Sequence, residues 1–417
     1  MSMTEMIKNE ICMSCKAPNL VEVIDLKNQP NGNVFLKRDE LSSELSYPLA
    51  MSICEDCYQL QIQEFPSVES MFLTHPYISG LSKPVLEHFG LLSKHIIRKF
   101  NLTSDDVVLD IGANDGSLLE CFKSSGIDVI GMDPSEHTES LARDKGIEVV
   151  KSFWSLKAAR QLIERGLNIK VITATAVFYH MKDIHDFVQG LVEIMQDDTV
   201  FSAQCVDLLD ILKSNQFDHF YHEHTMIHAL GPLKRLFSSY GLKVVDFEKW
   251  DIHGGSFVVY VAKKAASYEV HPRVEERFEL ELASGFQKID TYQNFARRIH
   301  DNKKTLVQLL KELNVQQKRV VALGAPLKGS TLLNFCGIGP DLVECAVEVN
   351  PLKVGRFTPG THIPVIHEDA LDFTPDYYLC LAWNFRAFFI QKYEAYLEAG
   401  GRIIFPNPEV EIVSRKE

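Results

Sequence analysis

The eight residues Phe217-Asp-His-Phe-Tyr-His-Glu-His224 set three histidines, a tyrosine and two acids side by side. Three kinds of role use such a set. A metal site would draw on His219, His222, His224 and Glu223, yet the segment lacks the HExxH spacing that puts two imidazoles on one helical face. A purely structural segment would be unusually polar for the middle of an apolar region, and burying polar groups without partners is costly. An acid/base site would use Tyr221 and His224, three residues apart on one side of a turn, with the imidazole tuning the phenol. The residue types fit this third role best. Removing a proton next to a carbonyl requires a base brought towards neutrality, and a phenol with a pKa of about 10 needs a neighbouring imidazole for that. The enolate carbon so formed is a nucleophile for a sulfonium methyl. Two further candidates for the same pocket are His180, in Thr175-Ala-Val-Phe-Tyr-His180, and Tyr77, in the segment HPYISGLS. Each also reads as a structural residue, and His253 in Asp251-Ile-His-Gly-Gly255 reads as packing at a glycine-rich turn.

The partner chemistry lies upstream. Val107-Val-Leu-Asp-Ile-Gly-Ala-Asn-Asp-Gly116 is an apolar run leading into a glycine-bearing turn, followed by a helical start at Ser117. Gly112 and Gly116 let the backbone approach a ligand, and the helix start offers unpaired N–H groups. The spacing is GxxxG and not the GxGxxG that cradles a pyrophosphate, which disfavours a dinucleotide. Asp133 ends the next strand-like run, where one carboxylate accepts both ribose hydroxyls of a nucleoside. Asp110 stands where an acid either faces a methionine amino group or orients the loop, and Asn114 lies within the turn. Phe153 and Trp154, after the third run, either flank an adenine or pack in the core. The strand–turn–helix with Asp133 at the second strand tip reads as an S-adenosylmethionine site.

Cys12-Met-Ser-Cys15 and Cys54-Glu-Asp-Cys57 are separated by 38 residues. Two CxxC turns supply the four thiolates that Zn²⁺ takes in structural sites, with no position left open for a catalytic water. The other five cysteines, Cys121, Cys205, Cys336, Cys345 and Cys380, stand in apolar contexts and read as core residues.

The elements that must position these groups follow from periodicity. Segment 1–70 carries the cysteine pairs and polar turns. Segment 71–265 alternates apolar runs with helical patterns (DDVVLDIG, IDVIGMD, NIKVITATAV, DTVFSAQCV), the signature of a doubly wound α/β sheet. Segment 266–417 opens with a long helical pattern over 272–315. It continues through KRVVALGAP, ECAVEVN, YYLCLAW and GRIIFP, which read as buried parallel strands of a second, Rossmann-like α/β unit. The chain of 417 residues has 46% hydrophobic and 24% charged residues, the balance of a globular protein. Its net charge of −13 argues against nucleic-acid binding, which needs a basic surface, while a small anion needs only a local cluster of donors. No apolar run is long enough for a membrane span, and the start MSMTEMIKNE shows no secretory signal, so a cytoplasmic location is expected. A monomer is compatible with the sequence, which does not set the oligomeric state.

The segments HPYISG, DIGANDG, FYHEH, DIHGGSF, GAPLKGSTLLNFCGIG, NPLKVGRFTPGTHIPV and LAWNFR, in that order, resemble the three-domain sugar C-methyltransferases. That family methylates C3 of dTDP-linked 4-keto deoxysugars, and the resemblance covers essentially the whole chain. It implies an N-terminal zinc-binding domain, a central doubly wound domain for S-adenosylmethionine, and a C-terminal Rossmann-like domain that helps hold the sugar nucleotide. It further implies that Tyr221 and His224 abstract the proton, that Glu223 and His180 line the keto and hydroxyl positions, and that Tyr77 closes the pocket. Lys328, Asn350, Lys353 and Arg356 are implied as the set for the diphosphate-linked part, an acidic protein's local positive charge. The chain departs from the family at Glu348-Val349 and at Val354, near the expected nucleotide contacts. Two other functions use the same features: an O- or N-methyltransferase on a related sugar, and a zinc-dependent scaffold with a vestigial cofactor fold.

Overall fold

Strands Val107–Ile111, Asp128–Asp133, Ile169–Thr175 and Val200–Val206 are built from β-branched and apolar residues, and all seven residues of the last are buried. Burial on both faces is what parallel strands covered by helices require. The computed structural model describes residues 6–67, 71–73 and 77–415. His75 and Pro76 of HPYISG, and the expected boundary at residue 70, lie outside them.

These strands form the middle of a seven-stranded sheet. Its order is Leu242–Trp250, Ser256–Lys263, Val200–Val206, Ile169–Thr175, Val107–Ile111, Asp128–Asp133, Val149–Lys151. All pairs are parallel except the two made by Ser256–Lys263, which inserts antiparallel between its neighbours. The chain runs outward from Val107–Ile111 to one edge, then returns to pair Ile169–Thr175 on its other side. The carboxyl ends of these two strands therefore open a crevice, the place where doubly wound sheets bind ligands.

The second α/β sheet has the order Val365–His367, Ala346–Glu348, Val320–Leu323, Tyr377–Cys380, Arg402–Phe405, Glu411–Val413, with only the last strand antiparallel. The four runs read as strands from the sequence are among these. The long helical pattern is instead two helices, Arg273–Ala283 and Ile289–Val315. Gly285 breaks it, because its backbone takes the left-handed conformation (φ +73°) that ends a helix. The second helix buries Tyr292, Phe295, Ile299, Leu306, Leu310 and Leu313 along one stripe and packs on both Leu20–Pro30 and the helix Leu327–Cys336.

Near the N-terminus, Leu20–Pro30, Ser46–Cys54 and Leu60–Ile62 form an antiparallel sheet. Its fourth strand, Met226–Ile227, comes from the central region directly after Phe217–His224. Gln59 reinforces that seam, its Nε2 donating to the carbonyl of Ile227 at 2.8 Å, and the Ile62 N–H donates to the Thr225 carbonyl at 2.9 Å.

Candidate active site

The crevice at the carboxyl ends of the central strands is a cavity of about 380 Å³. Gly112, Asn114, Asp133, Phe153 and Trp154 line it, with Tyr77, His180 and His253. Gly112 has φ +75°, and a Cβ there would meet Val177 Cγ2 at 2.4 Å. Asp133 anchors the loop: Oδ2 accepts the Asn114 N–H at 3.0 Å, while Oδ1 accepts the Ser135 N–H at 2.9 Å and the Thr138 hydroxyl at 3.0 Å. Asn114 latches the segment around Tyr77 over the loop, accepting the Ser79 N–H on Oδ1 and donating from Nδ2 to the Tyr77 carbonyl, both at 3.0 Å. Tyr77 is 43% exposed, at the mouth. Trp154 is buried and donates Nε1–H to the Phe187 carbonyl at 3.0 Å, so it both packs in the core and faces the cavity.

Asp110 and Gly116 are placed differently from expectation. Asp110 points into the core, where it accepts the Thr173 hydroxyl at 2.6 Å and burial pushes its carboxyl up to about 7. Asp110 is absent from the cavity lining, which its strand neighbour Ile111 reaches. Gly116 is the left-handed residue before helix Ser117–Lys123, and a Cβ there would press on Ala142 and Ile147. It serves helix packing. Residues that the sequence reading missed include Thr138, Ala176 and Val177. The last two follow the strand Ile169–Thr175 at the crevice, and the positive φ of Ala176 (+59°) had no signal in its residue type. Replacing Gly112 by alanine should weaken S-adenosylmethionine binding about tenfold or more, since left-handed strain of about 1–2 kcal/mol adds to the clash with Val177. Isothermal titration would show this, and an unchanged affinity would remove Gly112 from the binding loop.

Behind this cavity Tyr221 and His224 meet. The Tyr221 hydroxyl lies 2.5 Å from His224 Nε2, and the rings are 3.8 Å apart by centroid. His224 Nδ1 lies 2.7 Å from the His219 carbonyl. A carbonyl only accepts, so Nδ1 carries the proton and Nε2 presents its lone pair to the phenol. Burial, then the neighbouring His180 and His219, holds His224 well below the ordinary imidazole value, and burial holds the Tyr221 phenol well above its own. Both members of the resting pair are therefore neutral. His180 stacks on His224 at 5.2 Å and on Phe72 at 5.3 Å, joining the pair to the cavity that it also lines. Thr225 donates its hydroxyl to the carbonyls of Tyr179 and Met181 at 3.1 and 2.8 Å, which locks the two loops together.

The loop faces two other units. Tyr221, His222 and Glu223 line a small pocket with Gly32, Met71 and Leu327, where all three parts of the chain meet. Asn33 donates to Glu223 at 2.8 Å, and His222 Nε2 lies 3.1 Å from the Pro48 carbonyl. His219 Nε2 lies 3.0 Å from the carbonyl of His253, in the Asp251–Gly255 turn.

Three of the four expected anion ligands make hydrogen bonds within the chain. Lys353 Nζ donates to the Ala325 carbonyl and Arg356 Nη1 to the Phe35 carbonyl, each at 2.9 Å, so both tie the loop near Asn350 to neighbouring segments. Asn350 accepts the Leu352 N–H at 2.9 Å. Lys328 corrects its expectation more sharply: its amine is buried and lies 4.5 Å from the centre of the Trp383 ring. The helix Leu327–Cys336 begins at this residue's turn and packs on Phe217–His219, which carries the side chain inward.

In the N-terminal region the four cysteine ligand atoms lie within 4.8 Å of one another. Cys12 and Cys57 are 3.5 Å apart, and Cys15 and Cys54 are 3.6 Å apart. Tetrahedral zinc with bonds of about 2.3 Å separates its thiolates by roughly 3.8 Å, so the cluster fits the ion. Each CxxC ends in a matching turn: Lys16 and Tyr58 take positive φ, and their N–H groups donate to the carbonyls of Cys12 and Cys54. Four thiolates need a cation.

Three family models match successive stretches of the chain. Family models described as "Putative zinc binding domain", "Methyltransferase domain" and "C-methyltransferase C-terminal domain" match residues 12–72, 87–246 and 251–408. The C-methyltransferase NovU of Streptomyces niveus is 32% identical over 405 residues, 97% of this chain and 96% of its own. Among solved structures, magnesium protoporphyrin IX methyltransferase of Synechocystis PCC 6803 with bound SAH is 14% identical, covering 43% of this chain and 82% of its own with a TM-score of 0.32. The plantazolicin methyltransferase BpumL with SAH is 12% identical, covering 44% and 92% with a TM-score of 0.31. With one relative matching almost end to end, this chain belongs to the C-methyltransferase family, as an S-adenosylmethionine-dependent enzyme with an N-terminal zinc-binding domain.

Proposed function

We propose that the enzyme methylates C3, the carbon next to the ketone, of a nucleotide-linked 4-keto deoxysugar, with dTDP as the nucleotide. The observation that carries this reading is the Tyr221–His224 pair, fixed with His224 Nε2 as acceptor and set between the cofactor cavity and the small three-way pocket. A neutral phenol bonded to a neutral imidazole takes up one proton with no prior ionisation. As C3–H breaks, its proton passes to the phenol oxygen while the phenol proton moves to His224 Nε2. The C3 electron pair, conjugated with the ketone, then forms the new carbon–carbon bond.

S-adenosylmethionine, held by Gly112, Asn114, Asp133, Phe153 and Trp154, supplies the electrophilic methyl. His180, shared by cavity and cluster, orients the keto oxygen, and Glu223, steadied by Asn33, takes a sugar hydroxyl. Tyr77 closes the mouth and excludes water. Lys353, Arg356 and Asn350 face the diphosphate-linked part from the C-terminal unit.

Incubation with S-adenosylmethionine and a dTDP-4-keto-6-deoxysugar should give an alkali-stable carbon-linked methyl group. In heavy water the enzyme should also exchange deuterium into C3. A product whose new methyl carbon is bonded to oxygen or nitrogen by NMR, in place of the carbon linkage, would overturn the carbon assignment, as would absence of both turnover and exchange across several nucleotide-linked keto sugars.

A further inference from the structure

Lys328 is a buried charge that the proposed chemistry does not use. Its Nζ has no hydrogen-bond partner among the described residues, and its nearest defined neighbour is the Trp383 ring. A buried ammonium depends on an opposite charge, and the Trp383 ring that this one faces is bonded at its indole N–H to a carboxylate, Asp218. Asp218 is fully buried; its Oδ2 accepts Trp383 Nε1–H at 2.7 Å and its Oδ1 accepts from Asn407 Nδ2 at 3.3 Å. Both oxygens are thus acceptors, as in an ionised carboxylate.

Lys328, Trp383 and Asn407 all come from the C-terminal unit. Asp218 stands in the short 3₁₀ turn Phe217–His219, and the last carbonyl of that turn receives His224 Nδ1–H. The helix that carries Lys328 adds a second tie to this segment, Thr331 hydroxyl to Phe220 carbonyl at 3.2 Å.

We propose that Lys328, set against Asp218 across the Trp383 ring, is a positioning residue that clamps the His219 carbonyl and thereby fixes His224 as its Nδ1–H tautomer. The proposal rests on the Tyr221–His224 reading above. Burial pushes the Asp218 carboxyl up and the Lys328 ammonium pulls it back; burial pushes Lys328 down and Asp218 opposes that. The other titratable groups facing the ammonium are Cys380, whose thiol burial raises, and His219 and His253, which burial and the Lys328 charge keep neutral. Removing the ammonium leaves Asp218 as an uncompensated buried anion, which either takes a proton or leaves its donors. The turn then loses its anchor, the His219 carbonyl drifts, and His224 gains access to the Nε2–H form, which cannot accept from Tyr221.

The test uses full-length, zinc-replete enzyme carrying Lys328→Met, Asp218→Asn and both together. Each single change should lower kcat for the dTDP-4-keto-6-deoxysugar about tenfold or more while leaving S-adenosylmethionine affinity within about twofold, and the double variant should lose no more than the worse single. Nitrogen-15 spectra of the His224 ring, assigned with His224→Gln, should show Nδ1–H alone in the unaltered enzyme and a tautomer mixture in Lys328→Met. Trp383→Phe, which removes one donor to Asp218 and keeps the ring, should give a mixture as well. Additive losses in the cycle, or a His224 tautomer unchanged by Lys328→Met, would overturn the clamp. The ring spectra need no sugar, so they test the clamp even if no keto sugar is turned over, the outcome that would defeat the reading beneath it.

Discussion

Tyr221→Phe is expected to lower turnover by about 10²–10⁴-fold, roughly 3–5 kcal/mol of transition-state stabilisation, with S-adenosylmethionine binding nearly unchanged. The substitution removes one oxygen and keeps the ring that packs at 3.8 Å against His224. What disappears is the atom that stands between the substrate proton and Nε2. His224→Gln should be at least as damaging, because it removes the final proton acceptor and also the bond to the His219 carbonyl. The pH dependence follows from burial. Turnover needs a neutral His224, and since burial, His180 and His219 hold that imidazole well below its usual range, activity should persist as pH falls through about 6.5, where an exposed histidine would already be charging. The check is a kcat profile for both variants beside the unaltered enzyme. A Tyr221→Phe enzyme with near-normal turnover would take the phenol out of the chemistry, and an acid limb at the ordinary histidine value would show that His224 is more hydrated than its burial implies.

The second large effect concerns the metal. Zinc held by four thiolates contributes an apparent 10–16 kcal/mol to a small domain, comparable with the whole folding stability of a domain at about 5–15 kcal/mol. Removing it, by chelation or by Cys54→Ser, should unfold the N-terminal sheet. Cys54 ends the strand Ser46–Cys54, where it pairs with Leu20. The loss should not stop there. Met226–Ile227 is hydrogen-bonded to Leu60–Ile62, Gln59 reaches the Ile227 carbonyl, His222 lies against the Pro48 carbonyl, and Asn33 donates to Glu223. Hydrogen exchange followed by mass spectrometry should therefore speed up both in 46–62 and in 222–228 when zinc leaves. Stoichiometric zinc loss with exchange in 222–228 unchanged would show that the two regions fold independently.

Much of this was legible in local spacing. Two CxxC pairs announce a four-thiolate site because each pair makes its own turn, and the turns need only be brought together. The apolar run into Gly112-Ala-Asn-Asp-Gly116 announces a strand, a turn and a helix because each preference is local. Asp133 reaches the cavity because it closes a strand beside that turn. The residue types of Phe217–His224 were sufficient to suggest acid/base chemistry.

Other features could not be read that way. Asp110 and Gly116 sit in the same motif as Gly112, yet Asp110 is bonded to Thr173, Gly116 stands close to Ala142 and Ile147, and neither lines the cavity. Gly285 divides what periodicity joins. Lys328 was expected among the anion ligands, but the helix Leu327–Cys336 packs on Phe217–His219 and carries the amine inward onto the Trp383 ring.

By itself, then, the sequence determined the kinds of chemistry available: a thiolate metal site, a nucleoside-binding strand tip, and a phenol beside imidazoles. Types and short spacings act through neighbouring residues, so they need no fold to be read. Only the tertiary structure decided which imidazole nitrogen carries the proton, which lysine is buried, and that the zinc domain supplies the sheet on which the Tyr221–His224 loop is mounted. Those facts depend on the His219 carbonyl, on Asp218 and on Leu60–Ile62, groups whose positions are set by packing between segments far apart in the chain.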